Sequence, residues 1–225
     1  MSETNSQSVT VIDAGVGNLG NLCRALEFLG ARVELTDDPA TIAAGRTLVL
    51  PGVGAFKPPR ERLRGALEGA VHEALEGSAW LLGICVGYQL LFESSDEFGD
   101  TDGLGLLPGR IERLPETVRL PQIGWNALRD ITEHPLLEGL GEDPHFYFVH
   151  AWAPVGVPAD VQLASALHGA SFAAVAGQGR VLGTQFHPEK SGACGLRLLG
   201  NYLRLAGSGA SNQARGSNQT GEVTR

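Results

Sequence analysis

No stretch of this sequence is rich in lysine and arginine together, and no apolar run approaches the roughly 18 residues that a membrane-crossing helix needs. A phosphate-binding footprint is therefore missing, and the net charge of −8 further disfavours nucleic acid as a partner. A membrane is disfavoured on the same reading. Cysteine is scarce: Cys23, Cys85 and Cys194 are odd in number and show no C-x-x-C spacing, which excludes a disulfide framework or a zinc cluster. No metal site and no cofactor is expected. Residues 1–8 are polar and lack the cationic and apolar segments of a secretory leader, so the expected location is the cytoplasm. No internal repeat and no Gly-X-Y period occurs, so the 31 glycines mark turns and close backbone approaches, not a collagen-like chain.

Hydrophobic residues make up 43% of the 225 and charged residues 19%, enough for one sizeable core. Val9–Asp13 reads as a buried strand, and Leu19, Leu22, Leu26 and Leu29 follow at helical spacing before Gly30. Strands are also predicted over 31–36, 47–50 and 80–84, with one helix over Arg60–Glu76. Strand and helix alternating four times within about ninety residues predict parallel βαβ units with right-handed crossovers. The expected fold class is α/β: a doubly wound, mostly parallel, flavodoxin-like sheet with helices on both faces. Short apolar runs between Gly103 and Arg180 predict added antiparallel strands. A final helix carries Leu196, Leu199 and Leu203. From Gly207 to Arg225 almost nothing is apolar, which predicts a disordered tail, as for 1–8, around a single domain over 9–206.

Two motifs compete for function. Gly15-Val-Gly17-Asn-Leu-Gly20 follows a strand and opens a helix, with Glu34 downstream, and could be either a dinucleotide turn or a tight β-to-α turn that needs glycine whatever it binds. Gly83-Ile-Cys85-Val-Gly87-Tyr-Gln89 lies where a strand runs into a helix. Glycines two residues to either side of Cys85 make room for a nucleophile on a sharp, strained turn. The helix start favours a thiolate, and the Val86 N–H points where an oxyanion forms. A buried structural cysteine is the bland reading, and the paired glycines weigh strongly against it. A base is available in Gln185-Phe-His187-Pro-Glu189: two residues apart on an extended segment, His187 and Glu189 face one side, so the glutamate can orient the imidazole.

The elbow at Gly83–Gln89 together with Phe186-His187-Pro188-Glu189 resembles the class I (triad) glutamine amidotransferases. Over residues 9–206 the sequence is most similar to the glutaminase subunits of imidazole glycerol phosphate synthases. That similarity rests on residues 13–19, Pro51-Gly-Val-Gly-Ala-Phe56, Ile123-Gly-Trp-Asn126, Tyr147-Phe-Val-His150 and His187-Pro-Glu-Lys-Ser191. In that family the glycine-rich turn after the first strand binds no dinucleotide.

The resemblance implies a Cys85–His187–Glu189 triad that hydrolyses L-glutamine through a γ-glutamyl thioester. It implies oxyanion donors at Val86 and in the Val53–Gly54 segment, and glutamine binding by Gly52, Gln89 and Glu97. It also implies ammonia transfer to a separate (β/α)8 cyclase subunit, faced by Asn18, Trp125, Tyr147 and Lys190. Ala14, and Ala151-Trp152, stand where the family more often has Tyr and Ser/Thr-Tyr.

Overall fold

A computed structural model describes residues 6–16 and 19–216, with side chains as far as Ser208. The first half alternates as its periodicity predicts. Strand β1 (Ser8–Ile12) leads through helix α1 (Leu19–Phe28) to β2 (Arg32–Thr36), and α2 (Pro39–Ala44) to β3 (Thr47–Gly52). Helices α3 (Lys57–Leu63) and α4 (Ala66–Glu76) precede β4 (Trp80–Cys85), which runs straight into α5 (Val86–Gln89). The single helix expected over Arg60–Glu76 is in fact two. Gly65 breaks it with φ +84°, a conformation open to glycine and costly to other residues. Helix α2, too short to show a period, was not expected; Asp38 caps it by accepting from the Thr41 N–H at 2.9 Å, and Pro39 fits its first turn.

The second half supplies the added strands, most of them antiparallel to their neighbours. These are β5 (Ser94–Ser95), β6 (Thr101–Asp102), β7 (Arg110–Arg113), β8 (Gln122–Ala127), β9 (His145–His150) and β10 (Trp152–Val155). The hairpin β11 (Gln162–His168) and β12 (Ala170–Gln178) is followed by β13 (Val181–Thr184) and helix α6 (Gly192–Gly216). The central sheet has the order β11-β12-β13-β4-β3-β1-β2. Five neighbours from β13 to β2 are parallel, and β12 and β11 continue the sheet antiparallel. Strands β10, β7, β5 and β6 form a second sheet, and β8 pairs with β9 alone.

The chain moves from β1 outward to β2 and then back past β1 to β3 and β4. Right-handed crossovers therefore send α1 to one face and α2 with α4 to the other, and α1 packs beside α6 while α2 packs beside α4. Val9, Val11, Leu48, Leu50, Leu81, Leu82 and Ile84 are fully buried between the layers. Strands covered on both faces read as continuous apolar runs, which is why these three were legible.

The composition boundaries do not coincide with element ends. Arg32 donates its N–H to the Gln7 carbonyl at 2.9 Å and β1 starts at Ser8, inside the segment expected to be irregular. Helix α6 likewise runs ten residues past Ala206 to Gly216. Residues 1–5 and 217–225, where irregular termini were also expected, lie outside the described residues.

Candidate active site

Three adjacent parallel strands deliver the site. Gly52 at the end of β3 is paired with Cys85 at the end of β4, and β13, whose Thr184 pairs with Ile84, runs on to His187. Carboxyl ends of parallel strands are where open α/β sheets place their ligands.

Cys85 sits at φ +55°, ψ −110°, a backbone state that a side-chain-bearing residue adopts only when its surroundings force it. The forcing comes from close packing of α5 onto β3. A Cβ on Gly87 would land on the Leu50 carbonyl, and one on Gly83 would stand 2.7 Å from the Tyr88 Cα. One on Gly52 would be 2.7 Å from the Gly87 N. The glycines flanking the cysteine are therefore steric requirements of the turn. Cys85 is 3% exposed.

His187 Nδ1–H donates to Glu189 Oε1 at 2.9 Å, both side chains being buried. Strand β13 ends at Thr184 as expected, but the extended segment expected to carry both residues gives way to a turn. Pro188–Lys190 is a 3-10 turn, and it is this turn that brings Glu189 back onto His187. Burial works against a charged His187. Hydrogen bonding and charge attraction from Cys85 and Glu189 outweigh it, and the imidazole pKa is raised to about 9. The other ring nitrogen, Nε2, is buried with no well-formed hydrogen bond, as is Glu189 Oε2. Gly52, Val53, His187 and Glu189 line one small crevice with Leu22, Pro51 and Ile84. Among the described residues' hydrogen bonds, none is donated by the N–H of Val53 or Gly54.

Glu97 is buried, and its Oε2 accepts from the Phe56 N–H at 2.7 Å, just past the Val53–Gly54 segment. Burial raises its pKa, the Phe56 bond opposes that, and Asp96 adds to it. Gln89 lies one helical turn from Cys85, and its Nε2 donates to the Trp152 carbonyl at 2.9 Å and to Gln185 Oε1 at 3.1 Å. Gln185 and His150 were not singled out in the sequence, yet both are buried within this network. His150 Nδ1 lies 2.9 Å from the same Trp152 carbonyl, and burial lowers its pKa to about 4. The signal for Gln185 was its place in the Gln-Phe-His-Pro-Glu run, one residue beyond a buried strand.

On the outer side of β8 and β9, Ile123 and Trp125 are 64% and 58% exposed. Trp125 meets Tyr147 edge-to-face at 6.2 Å, and Lys190 Nζ stands 6.0 Å over the Tyr147 ring. Three of the four residues expected to face a partner thus share one exposed surface. Asn18, the fourth, lies outside the described residues, as does Gly17. Gly15 makes its turn at φ +77°. Among the described residues no group of three or more His, Cys, Asp or Glu side chains could hold a metal ion, and no helix is long and apolar enough to cross a membrane.

Residues 10–201 match the family model described as glutamine amidotransferase class-I. The imidazole glycerol phosphate synthase subunit HisH of Salinibacter ruber is 46% identical over 204 residues, covering 87% of this chain and 94% of that protein. The subunit of the same name from Geobacillus kaustophilus is 44% identical over 205 residues, covering 88% and 97%. A crystal structure of a glutamine amidotransferase, 27% identical, superposes with a TM-score of 0.71 over 88% of this chain and 98% of that one.

Proposed function

Because the chain belongs to the class-I glutamine amidotransferases, we propose that it is the glutaminase subunit of an imidazole glycerol phosphate synthase, working in histidine biosynthesis in the cytoplasm, where its free thiol stays reduced. The likeness to relatives bearing that subunit name, at 44–46% identity across nearly their whole length, supports this reading. The single observation that carries the chemistry is Cys85 held at φ +55° at a strand end, with the buried His187–Glu189 pair on the neighbouring strand end.

In this reading the Cys85 thiolate attacks the side-chain amide carbon of L-glutamine. His187 protonates the leaving nitrogen as the C–N bond breaks, and ammonia departs from a γ-glutamyl thioester. His187, now neutral, takes a proton from water as the water attacks the thioester, releasing glutamate and restoring the thiolate. Glu189 fixes the tautomer and offsets the positive charge on the ring. The Val86 N–H and one N–H from Val53–Gly54 receive the oxyanion, and Gly52, Gln89 and Glu97 hold the substrate.

Ammonia set free in water becomes ammonium and is lost to a nucleophilic step. In this reading the partner is a (β/α)8 cyclase subunit, as the resemblance to imidazole glycerol phosphate synthase subunits implies, and it faces Trp125, Tyr147, Lys190 and Asn18. It uses the ammonia to convert phosphoribulosyl-formimino-AICAR-phosphate to imidazole glycerol phosphate and AICAR phosphate. Co-expression with such a cyclase, followed by glutamine hydrolysis with and without the cyclase ligand, tests the proposal. A heterodimer whose glutaminase responds to the ligand is expected. A chain that hydrolyses glutamine but neither binds a cyclase nor responds to it would point to another amidotransferase.

A further inference from the structure

Behind the nucleophile runs a buried chain of polar groups whose direction is fixed by chemistry. The Trp152 carbonyl can only accept, so the Gln89 atom 2.9 Å from it must be the amide nitrogen Nε2. That same Nε2 faces Gln185 at 3.1 Å, so the atom it meets there must be the carbonyl oxygen Oε1. Gln185 is thereby left with Nε2 as its other end, and Nε2 lies 4.0 Å from Cys85 Sγ. Both hydrogens of the Gln89 amide are used within the protein, and among the described residues Gln89 Oε1 has no hydrogen-bond donor.

Gln185 cannot easily turn. It is fully buried, and its own N–H is tied to the Ala174 carbonyl at 2.9 Å on the neighbouring strand. On the far side of the Trp152 carbonyl, His150 donates from Nδ1, which fills the acceptor that Gln89 shares and removes any freedom to reverse the chain.

We infer that Gln185 is a positioning residue of the glutaminase site: its carbonyl holds Gln89 with Oε1 presented to the substrate as an acceptor, and its amide nitrogen turns a donor toward the Cys85 sulfur. The inference rests on the proposed glutaminase reading and extends it to a residue outside the triad. An acceptor fits the ammonium or amide N–H groups of glutamine. A donor near sulfur matters most where sulfur carries charge, in the attacking thiolate and again in the thiolate expelled when water opens the thioester. At 4.0 Å the contact is long, and a charged sulfur draws a donor closer.

Two variants separate the two ends of Gln185, assayed in the complex with cyclase and its ligand. Gln185→Met keeps the length but loses both polar atoms. Gln185→Glu keeps an acceptor for Gln89 and replaces the donor facing sulfur. Hydrogen bonds to charged groups support expected losses of about tenfold each. Gln185→Met should raise the KM for glutamine by about that factor and also lower kcat. Gln185→Glu should hold KM within about threefold while kcat, and the rate at which iodoacetamide alkylates Cys85 at pH 8, fall about tenfold. A role in packing alone would move KM and kcat together in both variants, or move neither, and either result overturns the inference.

If the variants do not fold, the parent chain still decides. The side-chain amide NMR signals of Gln185 should shift when Cys85 is alkylated, and their indifference would overturn the contact. Absence of glutaminase activity in the parent complex would instead remove the glutaminase reading, while the alkylation and NMR measurements would still report on Gln185 and Cys85.

Discussion

The backbone N–H of His187 donates to the carbonyl of Tyr147 at 3.0 Å, so the imidazole at the centre of the site and an aromatic of the exposed β8–β9 face are one hydrogen bond apart. The connection is closed into a ring. The Tyr147 N–H donates to Ser191 Oγ at 3.0 Å, and that hydroxyl donates to the His187 carbonyl at 2.6 Å. Anything that presses on Trp125, Tyr147 or Lys190 therefore acts on the peptide carrying His187.

Trp125→Ala and Lys190→Ala should accordingly weaken cyclase binding and the rise in glutaminase rate that follows it, and leave the basal rate of the free chain nearly unchanged. Titrating the cyclase into each variant while following glutamate release checks this. Exposed aromatic anchors at interfaces commonly cost 2 kcal/mol or more on truncation, so the apparent Kd for cyclase should rise roughly thirtyfold for Trp125→Ala.

The strain at Cys85 should be measurable. At φ +55° a glycine is comfortable and any other residue is not. Cys85→Gly should be more stable than Cys85→Ala by about 1–3 kcal/mol, with glutamine hydrolysis absent from both. Urea unfolding of the pair gives the difference directly. Equal midpoints would mean that the turn relaxes at no cost.

Gly87 tests the other half of the turn. Because its Cβ would overlap the Leu50 carbonyl, which is backbone and cannot swing aside, Gly87→Ala should cost about 3 kcal/mol or more, or displace Cys85 and abolish activity. Gly54→Ala is the contrast, since its Cβ would meet nothing within 4 Å and its penalty comes from φ +89° alone.

Two buried histidines pull the pH dependence of stability in opposite directions. His187, raised from 6.5 to about 9 in the fold, contributes stability that is complete below pH 6.5 and lost as pH rises through about 9. His150, lowered from 6.5 to about 4 by burial, contributes stability present above pH 6.5 and lost as pH falls toward 4. Their combined contribution is greatest near pH 6.5. Chemical denaturation from pH 4 to 10 should show the alkaline loss shrink in Cys85→Ala, which removes one of the partners that raise His187, while the acid loss remains. NMR titration of the His187 ring should give a lower value in Glu189→Gln than in the parent.

How much of this was legible depends on whether the signal was local. The buried strands β1, β3 and β4 announced themselves as apolar runs, and the elbow did so through Gly83 and Gly87, where a Cβ would strike the backbone of α5 and of β3 respectively. The split of the predicted 60–76 helix was hidden, because a Gly65 inside a helical period reads as a tolerated defect until its φ of +84° is known. The Glu189–His187 pairing was right in its partners and wrong in its geometry, since a 3-10 turn and an extended segment can both bring residues two apart together. Gln185 stood inside a legible motif, but its link to Gln89, like the Trp152 carbonyl, was out of reach. Their roles arise from β13, α5 and β10 meeting in space, and a backbone carbonyl leaves no mark on composition.

The central claim is that Cys85 forms a covalent γ-glutamyl thioester with glutamine as substrate, with His187 and Glu189 serving it. Acid quenching of the cyclase complex during turnover, followed by mass spectrometry of the peptide containing Cys85, reads this directly. The account predicts one γ-glutamyl adduct on Cys85, absent in Cys85→Ala and scarce in His187→Asn, where attack is slow. Glutamate released at full rate with no adduct on Cys85, or undiminished turnover in Cys85→Ala, would contradict it.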